Sequence, residues 1–146
     1  MGYGDVFESL DAAGVRFVVV GGTAIVLRGH AWRTRDLDLV VEPTPDVTRR
    51  ATAALLSLGF VPTITLPLEV LSVLTLMHRD GRSADMFARF RIPFDELWAD
   101  SEQAAAGGRL VRVCTLECLV RLKRIEGRPE EARAIEALLR GKGSRQ

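Results

Sequence analysis

Apolar positions along the chain change period several times, and each change marks an element. Val6, Phe7, Leu10 and Ala13 recur at helical spacing and Gly14 follows as a stop, which predicts an N-terminal helix packed on a sheet. Phe17 to Val20 is an unbroken apolar run of strand length. Gly21 and Gly22 turn the chain, a short helix begins near Thr23, and Asp36 to Val41 reads as a second strand. Thr44 or Asp46 can cap a helix to about Leu58, with Ala51, Ala54, Leu55 and Leu58 on one face and Gly59 closing it. The prolines between Val61 and Leu68 predict a loop or edge strand. Val70 to Met77 reads as a strand, Asp80-Gly81 as a hairpin turn, and Arg82 to Phe87 as the return strand. From Ile92 to Gly108 the chain carries Pro93, a short acidic stretch read as a solvated face, and an alanine–glycine segment, with Leu97 and Trp98 as anchors to the core. Leu110 to Cys114 reads as a short strand. Thr115 then caps a helix to about Ile125, and a last helix runs from Glu130 to Leu139 with Pro129 in its first turn. The expected fold class is α/β (α+β): a mixed sheet flanked by helices in one domain, residues 1–140, with a short helical C-terminal segment and a frayed polar tail, 141–146.

The totals narrow the class. At 146 residues, 47% hydrophobic and 27% charged, the chain has the make-up of one globular domain. No apolar run reaches the roughly 18 residues of a membrane helix, and no basic-then-apolar leader opens the chain, so a cytoplasmic protein with no membrane partner is expected. Cys114 and Cys118 have no neighbouring Cys or His to complete a zinc site and read as free buried thiols. His30 and His78 are too few to suggest a metal, and His30 reads as a solvated loop histidine. The net charge of +1 conceals an asymmetry. Residues 1–108 hold 10 basic and 14 acidic side chains, whereas residues 109–146 hold 10 and 5. An acidic half facing a basic one suits a bound polyphosphate.

The stretch with chemistry is 17–41. Side chains alternate along a strand, so Asp36 and Asp38 share a face while Leu37 and Leu39 point into the core. Two carboxylates on one face repel unless water or a cation neutralises them, and a hard divalent ion such as Mg²⁺ suits oxygen ligands. Gly21 and Gly22 permit a sharp turn and close approach of a ligand, and the helix that follows offers free N–H groups to phosphate. A phosphate site beside a metal site implies a nucleotide.

The run Gly21, Gly22, thirteen residues, Asp36, Leu37, Asp38, with Arg33 and Thr34 just before the acids, resembles the signature of the DNA polymerase β-like nucleotidyltransferase superfamily. Within it, the small AbiEii-type toxins and minimal nucleotidyltransferases look most similar. The resemblance implies a nucleotidyltransferase fold and Mg²⁺-dependent transfer of a nucleoside monophosphate from a nucleoside triphosphate (NTP), such as ATP, to an acceptor hydroxyl. It implies that Asp36 and Asp38 bind metal and that Asp85, in the sequence ADMF, supplies a third carboxylate, so that one or two Mg²⁺ ions are held. Gly21, Gly22 and Thr23 would hold the β and γ phosphates, and Arg33 and Lys123 would neutralise phosphate charge with help from Arg128. Relatives usually have Asp after that arginine, where this chain has Glu130 and Glu131, and a further acidic position is Ala134. Glu131 is expected to pair with Lys123 or Arg128. In relatives the acceptor is an antibiotic, an RNA end or a hydroxyl on a partner protein. The first expectation is a toxin of a toxin–antitoxin pair that modifies tRNA, with a cognate antitoxin or a homodimer as partner. The alternatives are an antibiotic-modifying enzyme and a non-catalytic nucleotide-binding antitoxin or regulator.

Overall fold

The computed structural model describes residues 2–68 and 70–144. In chain order the elements are α1 (Gly4–Ala12), β1 (Phe17–Val20), α2 (Gly21–Leu27), β2 (Asp36–Val41), α3 (Pro45–Ser57), β3 (Val61–Pro62), β4 (Val73–Met77), β5 (Ser83–Phe87), α4 (Phe94–Asp100), β6 (Glu102–Ala106), β7 (Arg109–Val113), α5 (Leu116–Ile125) and α6 (Pro129–Ser144). The strands form one mixed sheet in the order β3-β4-β5-β2-β1-β7-β6. β1 and β2 are antiparallel, as are β4 and β5, whereas β2 pairs with β5 and β1 with β7 in parallel.

Paired residues on neighbouring strands share a face of the sheet. One face carries Leu37, Leu39, Ala84, Met86, Leu74 and Leu76, all buried, and forms the core. On the same side Phe7 of α1 stacks on Phe17 of β1 at 5.6 Å between ring centroids. The opposite face carries a row across four strands, Val20, Asp38, Asp85 and Thr75, paired in that order. The register that buries Leu37 and Leu39 therefore also turns Asp36, Asp38 and Asp85 to the other side. A one-residue slip would invert both sets, so burial of the leucines fixes where the acids point.

Local signals set most boundaries. The Thr44 hydroxyl accepts from the Val47 N–H at 3.3 Å to cap α3, and Thr115 accepts from Cys118 at 3.0 Å to cap α5. Four differences from the sequence expectations have physical causes. First, the glycine turn and the helix are one element, because α2 starts at Gly21 itself. Second, β4 begins at Val73, since the N–H groups of Val70 and Leu71 are taken by turn hydrogen bonds to the Pro67 and Leu68 carbonyls. Third, the segment 92–108 holds α4 and β6. Asp95 and Glu96 lie in the first turn of α4, where carboxylates complement the helix dipole. Gly107 and Gly108 both adopt positive φ (60° and 79°), which makes a two-residue hairpin between β6 and β7. Fourth, α6 continues past residue 139 to Ser144, and residues 145 and 146 of the expected tail lie outside the described residues.

Arg82, read from the sequence only as the start of a strand, is buried. It donates to Asp5 at 2.6 Å and to Asp80 at 2.9 Å, and packs over the rings of Tyr3 and Phe60. Through it the turn at Asp80-Gly81 is tied to the start of α1. The Asp5 carboxyl lies below its usual range because it accepts these hydrogen bonds from the Arg82 guanidinium. Cys114 and Cys118 are free and buried.

Candidate active site

Three elements deliver the acids and the turn. β2 carries Asp36 at its first residue and Asp38 two on, and β5 lies directly beside it with Asp85 opposite Asp38. The parallel pairing of β2 and β5 makes the two carboxyls neighbours, although they stand 47 positions apart in sequence. The Asp38 carboxyl is pushed up to about 7, first by burial and then by the charges of Asp85 and Asp36, with Lys123 pulling the other way. Asp38 is therefore a carboxyl short of positive charge, and the residues crowding it are the two acids the resemblance implicates.

The glycine bend abuts this cluster. Gly21 adopts φ +69°, a conformation that side-chain-bearing residues rarely take, and a Cβ there would collide with the Asp38 carboxylate. A Cβ on Gly22 would fall 2.8 Å from the Thr34 Cβ and 3.1 Å from the Trp32 ring. These two glycines are what let the start of α2 lie against the acids. Thr23 and Thr34 both donate their hydroxyls to the Asp36 carbonyl, at 3.0 and 3.2 Å, and so lock the first residue of β2 to the start of α2.

Thr75 of β4 donates its hydroxyl to Asp85 Oδ1 at 2.5 Å. Sequence reading misses this partner, although a register counted back from the Asp80-Gly81 turn pairs Thr75 with Asp85. Lys123 of α5 is largely buried and within electrostatic reach of Asp38, and its Nζ pairs with Glu131 at 3.1 Å and Glu126 at 3.8 Å. The Glu131 carboxyl is held below its usual range, first by hydrogen bonding from Lys123. Arg128 pairs with Glu131 at 3.3 Å, so the expected partnership of Glu131 with Lys123 or Arg128 forms with both.

The predicted residues thus separate into two groups. Gly21, Gly22, Thr23, Asp36, Asp38, Asp85 and Lys123 are gathered around one spot. Arg33 is exposed with no ion pair among the described residues, and Arg128 is exposed and held in its pair with Glu131. The structure corrects the expectation of a solvated loop histidine at His30, whose Nε2 is buried with no hydrogen-bond partner among the described residues.

The donor set suits a hard divalent cation. It is all oxygen, its central carboxyl is depleted of positive charge, and the backbone of the glycine bend packs directly against that carboxylate. Among the described residues no group of three or more His, Cys, Asp or Glu side chains is placed to hold a metal ion as it stands. Asp38 and Asp85 are adjacent, and Asp36 sits at the exposed start of its strand.

Comparison with known proteins bears on the fold. Residues 1–52 match the family model described as "Nucleotidyl transferase of unknown function (DUF2204)". No curated protein matches the sequence significantly. Among solved structures the chain is similar to the lincosamide antibiotic adenylyltransferase LnuA with lincomycin bound, at 14% identity over 89% of this chain and 93% of that one, with a TM-score of 0.63. It is similar to a candidate nucleotidyltransferase of Thermotoga maritima at 15% identity, 93% and 89% coverage and a TM-score of 0.64. The antibiotic-resistance factor ANT(2'')-Ia matches at 15% identity, 96% and 90% coverage and a TM-score of 0.59, and has also been solved with adenylyl-2''-tobramycin. The chain has the nucleotidyltransferase fold, as the motif between Gly21 and Asp38 leads one to expect. None of these matches singles out the AbiEii-type group. No helix among the described residues is long and apolar enough to cross a membrane.

Proposed function

We propose that this protein transfers a nucleoside monophosphate from a nucleoside triphosphate to a hydroxyl of a small molecule, releasing pyrophosphate. The observation that carries the reading is the meeting of Asp38 and Asp85 side by side with the backbone of Gly21 against Asp38. Asp36, Asp38 and Asp85 are the residues that would hold Mg²⁺, which when bound supplies charge neutralisation at the phosphates and lowers the pKa of the acceptor hydroxyl. Free N–H groups at the start of α2 take the β and γ phosphates, and Lys123, which acts on Asp38, adds positive charge. Arg33, exposed and without an ion pair among the described residues, is free to swing onto a phosphate. The acceptor oxygen bonds to the α-phosphorus as the bond to the pyrophosphate oxygen breaks. Asp85, one oxygen fixed by Thr75, takes the acceptor proton.

A small acceptor is preferred to tRNA for two reasons. The chain spans 93% and 94% of antibiotic adenylyltransferases solved with lincomycin or adenylyl-2''-tobramycin, so it matches nearly the whole of chains that hold small hydroxylated molecules. In addition, five of the ten basic residues after residue 108 are held in ion pairs. Arg109 binds Asp11 and Glu8, Arg121 binds Glu96, Arg124 binds Glu136, and Lys123 and Arg128 bind Glu131. Paired arginines make a poor track for an RNA backbone, which is held chiefly by free cations. Purified protein incubated with Mg²⁺, each α-labelled NTP and either aminoglycosides, lincosamides or total tRNA tests the reading. Label on a small molecule is expected. Label on tRNA alone would restore the toxin reading, and nucleotide binding without transfer to any acceptor would favour a regulator.

A further inference from the structure

Beside the heads of β2 and β5 lies a cavity of about 580 Å³, lined by the start of α1, by α2, by the Gly81 turn and by the tip of the β6–β7 hairpin. Its walls are mainly apolar, with the rings of Tyr3 and Phe7 and the side chains of Val26 and Leu27. Two arginines line it. Arg82 is fully engaged, donating to Asp5, Asp80 and the Gly2 carbonyl. Arg35 is exposed and has no ion pair among the described residues. An apolar slot with ring walls and one unspent positive charge at its mouth is complementary to a flat apolar molecule that bears an anionic group.

The polar side chains of the same wall grip the two acid-bearing strands. The Tyr3 hydroxyl lies 3.0 Å from both the Arg35 carbonyl and the Ser83 carbonyl, at the head of β2 and β5. Thr23 and Thr34 hold the Asp36 carbonyl. A molecule seated here touches the hydrogen bonds that set where Asp36 begins and where β5 enters the sheet. We propose that this cavity, which borders the nucleotide site at Thr23, is a binding site for an aromatic anion, and that its occupant acts on the first residues of β2 and β5. The proposal stands whether or not the chain transfers nucleotides.

The probe is 8-anilinonaphthalene-1-sulfonate, with its neutral counterpart N-phenyl-1-naphthylamine as control, followed by fluorescence and by amide NMR of the full chain. The wild type is expected to bind the sulfonate more tightly than the neutral ring. Val26→Trp, at an exposed position of the wall, fills the slot and is expected to weaken sulfonate binding about tenfold, equivalent to about 1.4 kcal/mol. Arg35→Gln is expected to remove the preference for the anion while leaving the neutral ring bound. Amide shifts on binding should include Tyr3, Thr23, Thr34, Asp36 and Ser83. Equal sulfonate binding by the wild type and folded Val26→Trp would overturn the site, as would shifts centred on the exposed apolar residues Val61 and Met77. A preference for the anion that survives Arg35→Gln would overturn the ligand class. Binding in the cavity without shifts at Asp36 and Ser83 would overturn the action on the acid strands.

Discussion

Replacing Asp38 with Asn should make the metal-free protein more stable while abolishing its proposed chemistry. Folding moves the Asp38 carboxyl from 3.8 to about 7, because burial and the neighbouring Asp85 and Asp36 disfavour its charge. Every tenfold rise in proton affinity corresponds to about 1.4 kcal/mol, so this rise sets an upper limit of roughly 4 kcal/mol on the cost of ionised Asp38 in the fold. The amide keeps the shape but not the charge, and it makes imperfect hydrogen bonds of its own. A gain of about 1–3 kcal/mol is therefore expected at pH 8, or roughly 3–8 °C in Tm for a chain of this size. The sign follows from proton binding: the folded state holds the Asp38 proton more tightly than the unfolded chain, so the Asp38 contribution to wild-type stability is complete below pH 3.8 and is lost as pH rises to about 7. The Asn variant lacks this loss, so its advantage should be largest at pH 8 and shrink steadily towards pH 4. Thermal unfolding in EDTA across that range measures it. Millimolar Mg²⁺ should raise the wild-type Tm and narrow the gap. An Asn variant less stable than the wild type at pH 8, or an advantage that grows as pH falls, would refute the reasoning.

Other consequences are checked with single variants. Thr75→Val removes the hydroxyl that fixes Asp85 Oδ1, and with it a charge-assisted hydrogen bond of about 1.5–3 kcal/mol, so transfer should fall about tenfold or more while the nucleotide still binds. Gly21→Ala sets a Cβ into the Asp38 carboxylate at a backbone angle that alanine avoids. It should lower the Tm and weaken nucleotide binding in a titration, whereas Gly29→Ala, where a Cβ meets nothing, should lower the Tm by less and leave nucleotide binding intact. Arg82→Met should destabilise by about 2 kcal/mol in urea unfolding, since it strands Asp5 and Asp80 without their shared partner. The Asp5–Arg82 contribution is complete above pH 3.8 and lost as pH falls through the lowered Asp5 value, so the wild type but not the Met variant should show that part of the acid-induced loss.

Sequence reading reaches different depths in different regions, for physical reasons. Between residues 17 and 41 the two strands and the side the acids face are encoded locally, and the structure reproduces them, with the glycines drawn into the first turn of α2. The neighbourhood of Asp85 is another matter. An acid in an apolar strand could equally sit on an edge hairpin, and only the parallel pairing of β5 with β2, a long-range contact, brings it to Asp38. Lys123 likewise reaches the cluster through the packing of α5, which no local pattern specifies. β6 is hard to see in the sequence because its alanines have weak strand preference, although Gly107-Gly108 marks its hairpin. Buried Arg82 runs against the general rule that arginine stays exposed, and its two carboxylate partners explain the exception.

The central claim is that Asp36, Asp38 and Asp85 together hold a divalent ion against a triphosphate lying on the Gly21-Gly22 bend. Electron paramagnetic resonance of bound Mn²⁺ with a non-hydrolysable NTP analogue addresses it directly. The wild type should bind Mn²⁺ with resolved phosphorus couplings, and both Asp38→Asn and Asp85→Asn should lose that signal. A folded wild type that leaves Mn²⁺ free in solution with the analogue present, or an Asp85→Asn variant with an unchanged spectrum, would contradict the site.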